Sequence, residues 1–271
     1  MTMNEINKTL YIPLYGKALI SKRGIILQDR SAEQIWEQEG FQLKGKSKSK
    51  WLALYMSMRA SVFDRWLMGK METHPDALIL HIGCGLDGRI RRVENQGHQW
   101  FDIDYPEVID QRKKHFSETE GYTMLGADIR DPQWINAIPE AEEAIVLLEG
   151  VSMYMEKQEL LQLLTLLRNR FSCLHLFMDC YSVLAAKISK FKNPVNDVGV
   201  HSLYGIDDPK ELLPAGLDFL ARYELAPNYL IDELSPAEQR FFRKFFAGSF
   251  AKKLYRLYEF CAYPLDLGET E

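Results

Sequence analysis

One segment organises the sequence, Ala77-Leu-Ile-Leu-His-Ile-Gly-Cys-Gly-Leu-Asp-Gly88, in which a largely apolar run meets three closely spaced glycines. The run is typical of a strand that is buried on both faces, as in a parallel sheet. The glycines match the pattern G-x-G-x-x-G, which lets a ligand lie close to the backbone and leaves amide donors free at the following helix. The segment therefore predicts the first strand and the ligand-binding turn of an α/β domain.

The residues that follow alternate between predicted strands and predicted helices. Strands are expected at 99–104, 122–127, 144–148 and 174–179, and helices at 106–116, 132–138 and 157–171. The last third adds strands at 219–225 and 254–260 and helices at 207–213 and 236–253. Repeated strand–helix–strand units predict a doubly wound, mostly parallel sheet of seven strands.

The chain divides into a helical N-terminal part and the sheet domain. Apolar residues recur every three or four positions within 31–72, which predicts helices. We expect 1–75 to form a helical lid over a ligand-binding domain at 76–271, with an insert at about 180–215 beside the site. Residues 44–50 carry four lysines among small residues, which indicates a solvated loop.

The composition is that of an ordinary globular protein, with 46% hydrophobic and 26% charged residues among 271. The net charge of −5 disfavours nucleic acid as a partner, because phosphate binding needs a basic surface. No apolar stretch reaches the roughly 18 residues of a membrane span, and residues 1–10 lack the pattern of a secretory signal. A cytoplasmic protein is therefore expected. The four cysteines and the histidines show no spacing typical of a metal site or a disulfide framework, and the oligomeric state is left open.

Acidic residues close three of the predicted strands. Asp104 ends the second strand, 21 residues after Gly83, where a carboxylate accepts hydrogen bonds from a ribose diol. Asp128 follows the third strand and Glu149 the fourth, so all are expected to line one crevice at the carboxyl ends of the strands. This pattern fits a nicotinamide cofactor or S-adenosylmethionine. The string of acids favours a cationic sulfonium without phosphate, and leaves a nicotinamide-dependent oxidoreductase as the alternative.

Three segments in order resemble the leucine carboxyl methyltransferase family of S-adenosylmethionine-dependent enzymes, in particular its branch of tetracenomycin polyketide O-methyltransferases. They are His81-Ile-Gly-Cys-Gly-Leu-Asp-Gly-Arg89, Trp100-Phe-Asp-Ile-Asp-Tyr-Pro-Glu-Val-Ile109 and Glu149-Gly-Val-Ser-Met-Tyr-Met155. The resemblance implies a Rossmann-like methyltransferase fold and an O-methyltransferase that modifies a carboxyl group of a small molecule. A non-catalytic relative that only binds S-adenosylmethionine remains a further alternative.

The resemblance also implies roles for individual residues. Arg59 matches the arginine that holds the methionine carboxylate, a pairing that suits a bidentate guanidinium. The remaining cofactor contacts that it implies are the turn Gly83, Cys84 and Gly85, the ribose acceptor Asp104 with Tyr105, the adenine contacts Asp128 and Ile129, and Glu149 with Gly150 near the cofactor amine. The covering loop offers Lys48 or Lys50 to the methionine carboxylate, although the pattern favours a solvated loop for most of its lysines.

The acceptor side is less well defined by the sequence. Gly88 stands where the family usually has threonine, and Ser152 and Met155 replace usual leucines. A carboxylate acceptor is already ionised at neutral pH and needs no general base, whereas a hydroxyl acceptor would give His201 that role. Tyr154, His201 and Tyr204 are the predicted substrate contacts, and Tyr154 and His201 are the candidate catalytic residues.

Overall fold

The described residues of the computed structural model, 3–40, 43, 45–192 and 202–264, form a seven-stranded sheet with helices on both faces. The strands are β1 (Leu78–Ile82), β2 (Trp100–Asp104), β3 (Tyr122–Gly126), β4 (Glu143–Leu148), β5 (Cys173–Tyr181), β6 (Asp218–Tyr223) and β7 (Tyr255–Ala262). Their order is β3-β2-β1-β4-β5-β7-β6, and β7 runs antiparallel to both neighbours. The predicted doubly wound, mostly parallel sheet is confirmed.

Because the strand order reverses between β1 and β4, the carboxyl ends of these two central strands lie side by side at one end of the sheet. β1 pairs in parallel with β2 on one side and with β4 on the other, with Ile82 opposite Ile103 and Leu148. All five residues of β1 are buried, as expected for a central strand that helices cover on both faces. The crevice beyond these ends is the usual ligand position in such a sheet.

Three helices precede the sheet, namely α1 (Met3–Lys22), α2 (Arg30–Glu39) and α3 (Lys50–Thr73). Twelve residues of α3 are buried, and it packs against α1 and the sheet. Sequence periodicity indicated α2 and α3 but gave no signal for α1, which carries Pro13 and has apolar residues spread around its circumference. The buried face of α1 is set by its packing against α2 and α3, which the sequence pattern does not show.

The helices between the strands are α4 (Arg89–Val93), α5 (Pro106–Arg112) and α6 (Lys157–Arg170). Shorter 3₁₀ helices span Gly45–Lys48, Pro132–Ala137, Ser152–Tyr154 and Pro209–Ala215. The carboxylate of Asp131 accepts a hydrogen bond from the Gln133 backbone N–H, so it caps the turn at Pro132 as its position predicts.

The last part of the chain carries α7 (Val183–Lys192), α8 (Asn228–Ile231), α9 (Pro236–Phe245) and α10 (Ala251–Leu254). α7 was not predicted, and the single helix expected at 236–253 is divided into α9 and α10. The break contains Gly248 and Ser249, residue types that favour turns over a helix interior. None of the helices in the described ranges is long and apolar enough to cross a membrane.

Candidate cofactor-binding site

The turn after β1 has a backbone that only glycine adopts easily. Gly83 and Gly85 have φ angles of +71° and +52°. A Cβ atom on Gly83 would lie 2.3 Å from Cγ2 of Val151, which follows β4. The glycines of the sequence motif therefore bring the β1 and β4 loops close together at the crevice.

Asp104, at the end of β2, is fixed by two backbone donors of this turn and its own loop. Oδ2 accepts from the Gly85 N–H at 2.8 Å, and Oδ1 accepts from the Tyr105 N–H at 2.8 Å. Each oxygen keeps a second lone pair for a ligand hydroxyl. Burial raises the pKa of Asp104 to about 6, so the carboxylate is ionised at neutral pH.

Arg59 on α3 reaches into the crevice beneath the β4 loop. Its Nε donates to Oε1 of Glu149 at 3.0 Å, and its Nη1 donates to Oδ2 of Asp179 at 2.9 Å and to the Tyr255 hydroxyl. Among the described residues Nη2 has no hydrogen bond. A Cβ on Gly150 would lie 3.4 Å from both terminal nitrogens of Arg59, so a glycine here leaves room for the guanidinium group.

A lysine from α1 supplies a second cation at the same cavity. Lys17 is only 4% exposed, and its Nζ lies 3.0 Å from Oδ1 of Asp87 in the glycine turn. Leu10, Pro13 and Leu14 of the same helix also line this cavity, whose volume is about 150 Å³. α1 thus covers the crevice and places a buried ammonium opposite the turn.

A buried ionic network surrounds the cavity and carries one excess negative charge among the described residues. Its four cations and five carboxylates are Lys17, Arg59, Arg89, Arg92, Asp29, Asp64, Asp87, Glu149 and Asp179. Burial by itself raises the pKa of Glu149, but Arg89 and Arg59 lower it below its usual range. This excess negative charge is complementary to S-adenosylmethionine, whose sulfonium adds one positive charge to a zwitterionic amino acid. The same charge would repel a diphosphate.

His81 is a structural member of this network, as its position inside β1 predicts. The ring is 1% exposed, and its Nε2 lies 3.1 Å from Nη1 of Arg89. Because arginine only donates, Nε2 accepts, and Nδ1 donates to Asp102 at 2.9 Å. Both ring nitrogens are thereby engaged.

Arg112 of α5 supports the glycine turn from below. Its Nη1 donates to the backbone oxygens of Gly85 and Asp87 at 3.1 and 2.8 Å, and its Nη2 donates to Asp102. Burial by itself raises the pKa of Asp102, but Arg112 and His81 lower it to about 2. This ion pair fixes the carbonyl groups of the turn, so that its N–H groups point away from Arg112.

Tyrosine rings form one wall of the cavity, on the side of the β4 and β5 loops. Tyr154, Tyr181 and Tyr255 line it, and the rings of Tyr181 and Tyr255 meet edge to face at 4.8 Å. Tyr55 of α3 lies behind, 5.9 Å from the Tyr255 ring. This wall suits a cation or a flat aromatic ligand.

The predicted site residues fall into two groups in space. One cavity brings together Arg59, Gly83, Cys84, Gly85, Glu149, Gly150 and Tyr154, with Asp104 bonded to its turn. Asp128, Ile129 and Tyr105 lie outside this cavity: Asp128 accepts from the Arg130 N–H at 3.0 Å, and Arg130 also donates to the Tyr105 hydroxyl. Ile129 lines a separate surface depression along α6.

Apart from Tyr154, the predicted substrate and loop residues that the structure describes do not line the cavity. The Tyr204 hydroxyl donates to Glu156 at 3.1 Å, and Tyr204 lines a neighbouring depression that shares Tyr181. Lys50 points to Glu238, at 3.5 Å, and Lys48 is exposed. His201 lies outside the described residues. Lys17 of α1, and neither Lys48 nor Lys50, lines the cavity as its second cation.

Gly88, which completes the dinucleotide-like motif, lies where α2 contacts the glycine turn. A Cβ there would lie 2.8 Å from both Oδ1 of Asp29 and Cβ of Ser31, at the start of α2. The third glycine therefore allows α2 to approach closely. Asp87 within the same turn faces the cavity, where it would repel a diphosphate.

Lys17, Asp179, Tyr255 and Arg112 were not predicted as site residues. Asp179 lies near the carboxyl end of β5, and the reasoning applied to Asp104 and Glu149 would have found it. Tyr255 and Lys17 carry no comparable signal, because one begins β7 and the other lies in a helix that the sequence did not reveal.

A model of the family described as leucine carboxyl methyltransferase matches residues 3–168, which is more than half of the chain. A tetracenomycin polyketide synthesis O-methyltransferase from Streptomyces glaucescens is 25% identical over 242 residues, covering 88% of this chain and 89% of the relative. An S-adenosyl-L-methionine-dependent methyltransferase, dpfgK, from Gibberella zeae is 26% identical over 235 residues, covering 78% and 79%.

A solved structure shares the fold at low identity. The magnesium protoporphyrin IX methyltransferase of Synechocystis PCC 6803, crystallised with S-adenosylhomocysteine, superposes with a TM-score of 0.51 and 12% identity. The match covers 85% of this chain and 93% of that one. The strand order described above is therefore the order of a Rossmann-like methyltransferase.

Proposed function

Because this chain belongs to the leucine carboxyl methyltransferase family, we propose that it transfers the methyl group of S-adenosylmethionine to a carboxylate oxygen of a small-molecule acceptor. The observation that carries the proposal is the cavity at the end of β1 and β4, in which two buried cations and two carboxylates surround the glycine turn. The relatives named as O-methyltransferase and S-adenosyl-L-methionine-dependent methyltransferase support the same activity.

The residues of this cavity fit the amino-acid part of the cofactor. Arg59 and Lys17 would hold its carboxylate, since both are buried cations beside the turn. Glu149 and Asp87 would accept from its ammonium group. Asp104 would accept from the ribose hydroxyls, and Asp128 with Ile129 would contact the adenine outside the cavity that holds the amino-acid part.

The bound cofactor supplies an activated methyl group on a sulfonium. The chain contributes by orientation, because Arg59 is itself held by Glu149, Asp179 and Tyr255. Residues of α1 line one side of the cavity. Holding the acceptor oxygen in line with the methyl carbon is the main contribution that such a site makes to the rate.

The described lining residues favour an acceptor that is already ionised. His81 has both ring nitrogens engaged, and burial raises the pKa of Tyr154 and Tyr255 well above their usual range. Burial by itself raises the pKa of Glu149, but ion pairs outweigh it and lower the pKa, making this group a weak base. A carboxylic acid acceptor needs no proton removed at neutral pH, so it matches this set of groups.

The tyrosine wall favours a flat acid as the acceptor. Tyr154, Tyr181 and Tyr255 offer ring faces and edges close to Arg59, and aromatic walls with few polar groups are common in small-molecule pockets. We place the acceptor here, with Tyr154 as a contact and Tyr204 in the neighbouring depression that shares Tyr181. The four free cysteines suit a reducing compartment such as the cytoplasm.

A labelled-methyl assay tests the proposal. Purified protein is incubated with methyl-labelled S-adenosylmethionine and a panel of planar aromatic carboxylic acids, each paired with the matching phenol that lacks the acid. We expect transfer to acids, with a label that mild base releases as methanol, because esters hydrolyse under conditions in which aryl ethers survive. Arg59→Met should abolish transfer, and His201→Ala should retain it because no base is required.

Three outcomes would contradict parts of the proposal. A base-stable label on the phenols, lost in His201→Ala, would identify a hydroxyl acceptor and a catalytic histidine. Binding of S-adenosylhomocysteine without transfer to any acceptor would favour the non-catalytic alternative. Absence of S-adenosylhomocysteine binding would reject the cofactor itself.

A further inference from the structure

Four side chains of metal-binding type meet at the end of the sheet opposite the cofactor cavity. His74 follows the C-terminal end of α3, Glu143 begins β4, and Cys173 and His175 lie at the start of β5. The histidines and the glutamate alone present three possible ligand atoms within 4.8 Å of one another. This cluster has no part in the cofactor site.

Three partners converge on one oxygen of Glu143. His74 Nδ1 lies 2.8 Å from Oε1, His175 Nε2 lies 3.0 Å away, and Cys173 Sγ lies 3.1 Å away. The Cys173 thiol is the donor in the contact with Glu143. One carboxylate oxygen has two lone pairs, so three donors exceed what it can accept.

The buried histidine of the cluster is also incompletely satisfied. His175 is 1% exposed, and its Nδ1 has no hydrogen-bond partner among the described residues. Its Nε2 lies 3.4 Å from Cys173 Sγ as well as close to Glu143. The hydrogen-bonded arrangement therefore leaves one buried nitrogen unpaired, while the other competes with two donors for the same acceptor.

A single cation bound by all four side chains would remove the competition of three donors for one oxygen of Glu143. We propose that His74, Glu143, Cys173 and His175 form a tetrahedral binding site for a zinc ion. Two imidazoles, a thiolate and a carboxylate are ligands that zinc accepts together. Zinc–ligand bonds of about 2.0–2.3 Å give ligand–ligand edges of about 3.3–3.7 Å in a tetrahedron. The four observed separations of 2.8 to 3.4 Å need to open by a few tenths of an ångström. Cys173 Sγ lies outside the group of ligand atoms within 4.8 Å that His74, Glu143 and His175 form, so its side chain must also turn towards His74.

Charge and access are both compatible with the ion. Zinc binding displaces the thiol proton of Cys173 to solvent, so that Cys173 and Glu143 together balance the two positive charges. The nearby cation, Lys70, has its ammonium 2.9 Å from Oε1 of Glu259, and so does not pair with Glu143. The side chains of His74 and Glu143 are 24% and 23% exposed, which gives the ion a path from solvent.

The ion would tie the N-terminal lid to the sheet. His74 ends α3, the helix that carries Arg59, whereas the other three ligands belong to β4 and β5. Crosslinking these elements fixes the end of α3 relative to the strands, a stabilising role typical of closed zinc sites. The site rests on the cluster alone and is independent of methyl transfer.

Zinc titration of tag-free, chelator-treated protein tests the proposal. We expect one zinc ion per chain and a higher melting temperature with zinc than with chelator. Cobalt should give the strong visible bands of a tetrahedral site together with a thiolate-to-cobalt charge-transfer band, which Cys173→Ser removes. His74→Gln and Glu143→Gln should weaken zinc binding by more than the roughly 10–100-fold that outer partners of ligands contribute.

His115→Gln is the matched control. His115 lies 2.8 Å from Glu39, a pair like that of His74 and Glu143 but without a thiol nearby. This variant should keep full zinc stoichiometry and the cobalt spectrum. The proposal is overturned if zinc does not bind stoichiometrically, or if all three cluster variants bind zinc with the affinity of the wild type. An octahedral cobalt spectrum without the thiolate band would also overturn it.

Discussion

Replacing Lys17 with methionine keeps the length and packing of the side chain in α1 but removes its charge. Lys17 is nearly fully buried beside the cofactor cavity and lies 3.0 Å from Asp87. If it holds the methionine carboxylate, the variant should bind S-adenosylhomocysteine weakly while remaining folded.

The size of the effect follows from the partners that remain. After the change Asp87 still has Arg92 at 2.7 Å and Arg89 at 3.5 Å, so its charge stays paired. We therefore expect the free energy of unfolding to fall by about 1.5–3 kcal/mol, as for one charged hydrogen bond, rather than the about 3–5 kcal/mol of a stranded buried charge. The same 1.5–3 kcal/mol, lost from ligand binding, corresponds to about 10- to 150-fold in Kd.

Isothermal titration calorimetry with two ligands separates binding from folding. S-Adenosylhomocysteine carries the amino-acid carboxylate, whereas 5′-methylthioadenosine shares its adenosine but lacks that group. Lys17→Met should lose affinity for the first ligand and keep its affinity for the second. The control is Lys22→Met on the same helix, where an exposed lysine pairs with Glu37, and neither affinity should change.

Two results would refute the reasoning. Unchanged affinity for S-adenosylhomocysteine, within about twofold, would show that Lys17 does not contact the cofactor. Equal losses for both ligands would show that Lys17 acts by keeping α1 in place rather than by binding the carboxylate.

Two further predictions concern the glycine turn and the acid beside it. Because burial raises the pKa of Asp104 to about 6, protonation below that pH removes an acceptor for the ribose hydroxyls, and affinity for S-adenosylhomocysteine should fall about tenfold per pH unit. Calorimetry between about pH 7.5 and pH 5 should show this fall in the wild type and not in Asp104→Asn, and a flat wild-type profile would contradict it. Gly83→Ala combines a φ of +71° with a 2.3 Å contact to Val151, so urea unfolding should show a loss of about 2–5 kcal/mol. Gly24→Ala, at φ +67° with nothing within 4 Å, should cost only about 1–2 kcal/mol, and equal losses would exclude the contact with Val151 as the cause.

The sequence by itself determined the sheet and the end of it at which the glycine turn and the acidic residues meet. Buried parallel strands are continuous apolar runs, and their spacing by helices leaves few possible topologies. The glycine turn and the acids at Asp104 and Glu149 were placed correctly because each is local to the end of one strand. The lysine-rich loop is conspicuous in the sequence, but Lys50 pairs with Glu238, and Lys17 of α1 is the second cation at the cavity.

Only the tertiary structure decided which distant side chains meet at the two ends of the sheet. Lys17, Arg59, Asp179 and Tyr255 converge on the cavity from two helices and two strands. For Lys17 and Tyr255 neither the spacing nor the residue type predicts this position. His74, Glu143 and His175 likewise meet because α3 ends beside the starts of β4 and β5. The physical reason is that packing direction and strand order set such contacts, and these depend on the burial of the whole chain rather than on any local pattern.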